Sequence, residues 1–254
     1  MHQIVAEFRN VTSSNLLVRK LEGFHPFSAD DRKFLESHCR PLHEIPAKHD
    51  IIREGDTPDG VVLILSGFAC RYKLIAGGRR QIMAFLVPGD FCDFQVFVLK
   101  HMDHSIGTLS RCQVVRIKRE AILLLTERPA IARAFWWASL VDAATLREWL
   151  VNIGQRHAEE RIGHLLCELL VRLEAVGLVR HNAYTLPISQ IDLADALGVS
   201  VVHTNRMLMA LREYDLVELA AREVVVKDVE GLKSFSDFNP NYLHLESREQ
   251  PSAI

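Results

Sequence analysis

The segment from Ser189 to Arg212 holds several hydrogen-bonding side chains of the kind that contact other molecules. Arg206 carries a fork of donors that fits the two acceptors of guanine, and Asn205 or His203 can contact a base edge or a phosphate. A helix presented to the major groove makes its base contacts near its start. The candidate DNA-binding residues are therefore Ser189, Ser200, Val201, Val202, His203, Asn205 and Arg206.

Two helix starts and a turn would position these side chains. Ser189 and Asp192 have the spacing of a capping box that begins a first helix, and Ser200 begins a second. Gly198 supplies the backbone freedom of the turn between them, and the small Ala194 lets the two helices approach closely. The pattern predicts a helix-turn-helix, although an ordinary helical hairpin with a solvated arginine is the alternative.

A β-hairpin is predicted directly after the second helix. Leu216 to Leu219 and Val224 to Val226 are apolar runs on either side of a short loop at Ala220 to Glu223. The hairpin favours a winged helix-turn-helix over an isolated helical hairpin.

The first half of the chain has the pattern of short antiparallel strands. Between Ile51 and Val115, turn signals recur at the spacing of roughly 8–12 residues that is typical of a sandwich or barrel. Apolar or alternating runs fill the gaps, and the predicted strands are Val61 to Leu65, Phe68 to Leu74, Ile82 to Val87 and Val114 to Ile117. In front of them, Ser28 begins a short helix through His38. This half is predicted to be a β-roll.

A long helix is predicted from about Ala130 to Gln155. An apolar stripe broken by Pro129 is expected along it and the residues before it, formed by Ile122, Leu125, Ile131, Phe135, Leu146, Leu150 and Ile153. The helix also carries Trp136, Trp137 and Trp149, more apolar surface than one small β-roll needs to cover. Two such helices side by side would form a symmetric dimer; packing of the tryptophans on the chain's own β-roll is the alternative.

These elements give an α+β fold in consecutive parts. The N-terminal helix and the jelly-roll-like antiparallel β-roll occupy residues 1–129, the long dimerisation helix 130–156, the winged helix-turn-helix 157–238 and a tail 239–254. Apolar residues make up 48% of the chain, and no run approaches the ~20 apolar residues that span a bilayer. Since the first fifteen residues lack an export signal, a cytoplasmic location is expected.

Several segments resemble those of the Crp/Fnr family of bacterial regulators, over roughly Phe27 to Phe235. The matching segments are Ile52 to Asp56, Leu65 to Gly67, Leu86 to Phe91 and Gly198 to Arg206. The resemblance implies that the β-roll is a sensor like the cyclic-nucleotide-binding domain, that the protein is a homodimer, and that it reads a palindromic DNA site as a transcription regulator. RNA polymerase is then an expected partner.

The candidate effector pocket departs from the family pattern. It would be formed by Gly89, Asp90, Phe91, Phe94, His104 and Ser105. Members that bind cyclic AMP have a glutamate where Phe94 stands and an Arg-Ser or Arg-Thr pair where His104 and Ser105 stand. A neutral imidazole is a poor substitute for a charged, bidentate phosphate clamp. We therefore expect an unknown effector, or none, rather than a cyclic nucleotide.

Other sensor chemistries have weaker signals. The five cysteines are widely spaced, and only Cys39 precedes the β-roll, which argues against a disulfide framework, a zinc site and the iron–sulfur cluster of oxygen-sensing members. His101, His104 or Cys92 could ligate haem, but in a chain with twelve histidines such candidates arise by chance. No metal site or cofactor is predicted, and a thiol switch stays open.

The predicted recognition helix also departs from the family. Many members have a glutamate at the position of Val202, three residues before a Ser-Arg pair that is Asn205 and Arg206 here. An acidic contact to cytosine would be lost while the arginine contact to guanine could remain. The alternative function is an effector-binding module whose C-terminal domain contacts protein; an enzyme is disfavoured because no catalytic motif is recognised.

Overall fold

The computed structural model describes residues 15–94, 100–220 and 222–245. It begins with two short helices, α1 (Leu16–Glu22) and α2 (Ala29–Ser37). The side chain of Ser28 accepts a hydrogen bond from the amide of Asp31 and caps α2, as the sequence predicts. Both helices pack on the edge of the β-domain that follows, with Leu17, Leu21 and Leu35 fully buried.

The β-domain consists of two antiparallel sheets. Its strands are β1 (Leu42–Ile45), β2 (Asp50–Ile52), β3 (Gly60–Ser66), β4 (Ala69–Leu74), β5 (Arg80–Leu86), β6 (Ser105–Thr108) and β7 (Cys112–Lys118). One sheet has the order β1-β7-β3 and the other β2-β6-β4-β5. The predicted strands correspond to β3, β4, β5 and β7. Strands β1, β2 and β6 were not predicted, because they lack the long apolar run that marks a strand in the sequence. The predicted β-roll is confirmed.

Two helices follow, α3 (Arg119–Thr126) and the long α4 (Pro129–Gln155). Pro129 occupies the first helical position, where its missing N–H is not needed. The single apolar stripe predicted along this region is wrong, because its members lie on two faces. Ile131 and Phe135 pack against the β-roll, whereas Leu146 and Leu150 are exposed.

The C-terminal domain has its own core. It contains α5 (Ala158–Ala175), β8 (Ala183–Thr185), α6 (Gln190–Leu197), α7 (Val201–Glu213), β9 (Val217–Ala220), β10 (Glu223–Val226) and α8 (Val229–Phe235). β8, β10 and β9 form a three-stranded sheet, and the β9–β10 hairpin is the predicted wing. The predicted α+β fold class is therefore confirmed.

Packed structure continues past residue 238, where the sequence-based division begins the tail. A 3-10 turn, Pro240–Leu243, buries Leu243, and the Tyr242 hydroxyl donates to Glu168 of α5. The tail predicted beyond Leu245 lies outside the described residues. Among those that are described, no helix has the length and apolar character needed to cross a membrane.

Candidate DNA interface and effector pocket

The helix-turn-helix is formed by α6 and α7, and its local geometry follows from the predicted caps. The Ser189 hydroxyl accepts from the amide of Asp192, while the Asp192 carboxylate accepts from the amide of Ser189. Gly198 ends α6 with a φ of 67°, in the left-handed region that glycine adopts without a Cβ penalty. The Ser200 side chain then caps α7 by accepting from the amide of His203.

One face of α7 is buried and the opposite face is open. Thr204, Met207, Leu208 and Leu211 point into the domain. Val201, Val202, Asn205 and Arg206 are exposed, and His203 is half-buried between the two faces. Of the predicted DNA-contacting residues, the structure thus places Val201, Val202, Asn205 and Arg206 on the exposed face of the first two turns of α7, whereas Ser189 and Ser200 cap the two helices.

Two residues near this face, Met209 and Gln190, were not predicted from the sequence to lie there. Met209 is half-exposed and lies seven residues after Val202, so helical periodicity could have found it. The Gln190 amide lies 3.5 Å from Oδ1 of Asn205 and donates to it, which turns the nitrogen of Asn205 away from α6. No sequence signal marks that pair, because the two helices must first be packed.

The acidic groups of α6 are held by the β-domain. Arg80, at the start of β5, donates to Asp192 at 2.5 Å and to Asp195 at 2.8 Å. The Gln81 amide also donates to the carbonyl of Ala196. These contacts neutralise two carboxylates on the helix-turn-helix, where they would otherwise repel phosphates, and they dock α6 on the β4–β5 hairpin.

A second set of ion pairs joins the loop before Phe91 to the C-terminal domain. The Asp90 carboxylate is buried and accepts from Lys20 of α1 and from Arg172 of α5, the latter at 2.6 Å. Arg172 also donates to the carbonyl of Phe85 and to the fully buried Glu168. Glu168 in turn accepts from the indole of Trp149 in the long helix. The network therefore joins both domains and α4.

Because of this network, the free energy of unfolding should decrease when the solution becomes acidic enough to protonate Asp90. Burial by itself would raise the pKa of Asp90, but Lys20, Arg172 and the Val87 amide outweigh burial and lower the pKa to about 2. The pKa of Asp90 is lower in the folded protein than its value near 3.8 in the unfolded chain, so the ionised carboxylate stabilises the folded state at pH values above about 3.8. That stabilisation is lost as the pH falls toward 2. We expect a loss of about 2 kcal/mol in that window.

Urea unfolding of the wild type and of Asp90→Asn at pH 6 and pH 2 measures this loss. The wild type should lose about 2 kcal/mol more than Asp90→Asn over the interval. Lys227→Met, which removes a surface ion pair with Asp215, controls for general charge effects. An equal loss in wild type and Asp90→Asn would show that the carboxylate is not stabilised by its cations.

Four of the six residues of the candidate effector pocket, Gly89, Asp90, Phe91 and Phe94, line one cleft, whereas His104 and Ser105 do not line it. Gly89 is packed against α1 and α5, since a Cβ there would lie 3.2 Å from the carbonyl of Leu16 and 3.3 Å from Val176. Asp90 faces Lys20 and Arg172, as described above. The Ser105 hydroxyl accepts from the amide of Glu54 in the β-roll.

Aromatic rings fill the space between this loop and the long helix. The ring of Phe94 lies 4.0 Å from that of Phe91 and 4.5 Å from that of Phe135, centre to centre. The cleft beside them has a volume of about 80 Å³, well below the ~300–1,000 Å³ of typical ligand pockets. The three phenylalanine rings therefore leave little room for a ligand beside the long helix.

His104 is also unlike a phosphate clamp. Its Nδ1 lies 2.7 Å from the carboxylate of Asp103, and its Nε2, which is buried without a hydrogen-bond partner, lies 3.8 Å from the carboxylate of Asp93. The negative charges of Asp93 and Asp103 beside His104 repel an anionic ligand such as a phosphate.

The remaining sensor candidates find little support among the described residues. All five cysteines are buried, and burial raises the pKa of Cys70 and Cys167 to about 12 and that of Cys112 to about 11. Thiols of this kind react slowly with oxidants. Within the described ranges, no group of three or more histidine, cysteine or acidic side chains could hold a metal ion.

Comparison with known proteins gives the same division of the chain. Residues 42–128 match the cyclic nucleotide-binding domain model, and residues 160–235 match the Crp-like helix-turn-helix domain model. The nitrogen fixation regulation protein FixK of Azorhizobium caulinodans is 30% identical over 186 residues, which cover 72% of this chain and 74% of that protein. The transcriptional activator FnrL of Cereibacter sphaeroides is 28% identical over 187 residues, 72% of this chain and 75% of FnrL.

The fold is also similar to that of solved structures. The structure of FixK2 from Bradyrhizobium japonicum matches with a TM-score of 0.69 and 23% sequence identity, and the match covers 77% of this chain and 96% of the FixK2 chain. A β-roll sensor domain joined by a long helix to a winged helix-turn-helix defines the class as a DNA-binding transcription regulator. The chain belongs to the Crp/Fnr family.

Proposed function

We propose that this regulator acts as a homodimer on a palindromic DNA site and that no cyclic nucleotide is required. The observation that carries the proposal is an exposed stripe on α4, away from the face that packs on the β-roll. The members of this stripe, which we call the heptad stripe, are Arg133, Trp136, Leu140, Ala143, Arg147, Leu150 and Gly154. They alternate at spacings of three and four residues, which is the spacing of seam residues in a two-stranded coiled coil, and the large apolar members are Trp136, Leu140 and Leu150.

The exposure of the heptad stripe distinguishes it from the helix's other aromatic residues. Trp136, Leu140 and Leu150 are 75%, 66% and 74% exposed. By contrast, Trp137 stacks on Phe24 and Trp149 contacts Phe85, so these two tryptophans pack on their own chain. Leaving several large apolar side chains on one helix in water is unfavourable, and a second copy of the same stripe would cover them.

A symmetric dimer fixes the form of the DNA site. Two α7 helices related by a two-fold axis would enter successive major grooves, with half-sites one helical turn apart, or ~34–36 Å. The proposed base-contacting and phosphate-contacting residues are Ser189, Ser200, Val201, Val202, His203, Asn205 and Arg206. RNA polymerase is the proposed further partner, and the proposed location is the cytoplasm, where both DNA and the polymerase are found.

The filled pocket supports regulation without a cyclic nucleotide. The Phe91, Phe94 and Phe135 rings occupy the space beside the long helix, and the carboxylates around His104 oppose a cyclic phosphate. Activity would then follow from the amount of protein or from a signal of another chemical class. Since the relatives named above are transcription regulators, the proposal includes no enzymatic role.

A thermal unfolding experiment tests the absence of a cyclic-nucleotide effector. We expect millimolar cyclic AMP or cyclic GMP to leave the melting temperature unchanged, whereas a ligand present at a hundred times its Kd would add about 2.7 kcal/mol of stability. Melting in the presence of double-stranded DNA controls for the sensitivity of the assay. A rise of several degrees with either nucleotide would contradict this part of the proposal.

Selection from random double-stranded DNA tests the function as a whole. The purified protein without added ligand should enrich a palindrome, and its affinity for that site should fall steeply with salt because several phosphates are neutralised. Failure to enrich any sequence, both alone and with cell extract, would instead favour a C-terminal domain that contacts protein.

A further inference from the structure

The first turn of α7 carries an apolar surface where a DNA-reading helix meets the bases. Val202 is 72% exposed and Val201 39% exposed. Arg206 lies one helical turn after Val202, and Met209 lies one turn further on the same exposed side. An apolar patch thus adjoins the side chain proposed to contact guanine.

The fold of the chain does not account for Val202. A β-branched side chain loses χ1 freedom in a helix, so valine is a poor choice for an exposed helical position. Nor does it contribute to the core, because Thr204, Met207 and Leu208 form the buried side of α7. A contact made only in the complex would explain the residue.

The major groove offers one apolar group on its base edges, the C5 methyl of thymine. The other edge groups are hydrogen-bond donors and acceptors, which a valine side chain cannot satisfy. Between Val201 and Arg206 there is also no carboxylate that could accept from cytosine. We propose that Val202 selects a base carrying a C5 methyl group, thymine above all, in each half-site of the DNA.

The neighbouring contacts define where this thymine lies. Val202 and Arg206 are four residues apart, which corresponds to about 6 Å along the helix axis. Base pairs are about 3.4 Å apart, so the methyl group should lie within about two base pairs of the guanine that Arg206 contacts. Asn205, whose Oδ1 accepts from Gln190, lies between them in sequence and has its nitrogen free to donate.

Uracil substitution isolates the methyl group. This inference rests on the proposed DNA binding, so the test begins from the selected palindrome and replaces each thymine by deoxyuridine in turn. We expect one position per half-site at which uracil weakens binding about fourfold, and about fifteenfold when both half-sites are changed. At the same position, 5-methylcytosine should bind more tightly than cytosine by a similar factor.

Variants assign the effect to Val202. In Val202→Ser, thymine and uracil should bind equally, and Val202→Glu should shift the preference toward cytosine, whose amino group donates to a carboxylate. Leu178→Ser, at an exposed leucine outside the helix-turn-helix, should keep the full dependence on the methyl group. Far-ultraviolet circular dichroism checks that each variant is folded.

The possible outcomes separate this inference from the proposed function. If the palindrome is bound specifically but uracil and thymine bind equally at every position, Val202 does not read a methyl group. The same conclusion follows if Val202→Ser keeps the discrimination. If no palindrome is bound at all, the proposed function fails, and this inference fails with it.

Discussion

Arg206→Ala should weaken binding to the palindrome by about 5- to 150-fold for each half-site. A bidentate contact between an arginine and guanine contributes about 1–3 kcal/mol of discrimination, and a dimer makes the contact twice. Arg206 is exposed on α7, and the nearby acidic groups Asp192 and Asp195 are already paired with Arg80. The guanidinium is therefore available to DNA.

Base substitution shows whether the lost contact is to a base. Replacing the contacted guanine should weaken wild-type binding but have little effect on Arg206→Ala, as measured by fluorescence anisotropy at one fixed salt concentration. Arg206→Lys is the matched control, because it keeps the positive charge and loses the planar fork of donors. A uniform loss over all sequences, with a salt slope smaller by about one per half-site, would make Arg206 a phosphate contact instead.

Leu140→Glu is expected to dissociate the dimer. Leu140 lies on the heptad stripe and is 66% exposed, so the substitution should leave the single chain folded. In the dimer, however, two carboxylates would meet near the two-fold axis in place of two apolar side chains, each of which stabilises the interface by about 1.5–3 kcal/mol when fully buried. Sedimentation should show the mass falling from twice 28.8 kDa to 28.8 kDa.

Loss of the dimer should also reduce DNA affinity by a factor of about 10² to 10⁴. The second half-site is bound at a high effective concentration only while the two chains are joined. Leu42→Glu is the matched control, since Leu42 is 56% exposed on β1 and does not belong to the heptad stripe. A dimer that persists in Leu140→Glu would place the interface elsewhere.

Local patterns were sufficient to predict the helix-turn-helix. Ser189, Asp192, Gly198 and Ser200 act within a few residues of their own position, through caps and a left-handed turn, and each has its predicted role in the structure. The same applies to the exposure of Arg206, because the apolar residues of α7 define its buried side. Interactions of this range depend on short stretches of backbone, which the sequence specifies directly.

The edge strand β1 and the packing of the long helix α4 could not be predicted from the hydrophobic pattern of the sequence. β1 is largely exposed, so it lacks the apolar run by which a strand is recognised. In α4, two apolar faces share one helix, and hydrophobicity alone does not say which of Trp136, Trp137 and Trp149 packs on its own chain. The three tryptophans are distinguished only by the packing of the folded chain, which buries Trp137 and Trp149 and leaves Trp136 exposed.

The sequence alone was enough to predict the α+β fold class and the caps and turn of the helix-turn-helix, because the hydrophobic periodicity of each element and the caps at its ends act over a few neighbouring residues. The tertiary structure decided the rest. Arg80 meets Asp192 and Asp195 across more than a hundred residues, and Asp90 meets Arg172 across 82. Whether such charges become partners depends on how whole elements pack, since an ion pair leaves no pattern in the sequence between its members.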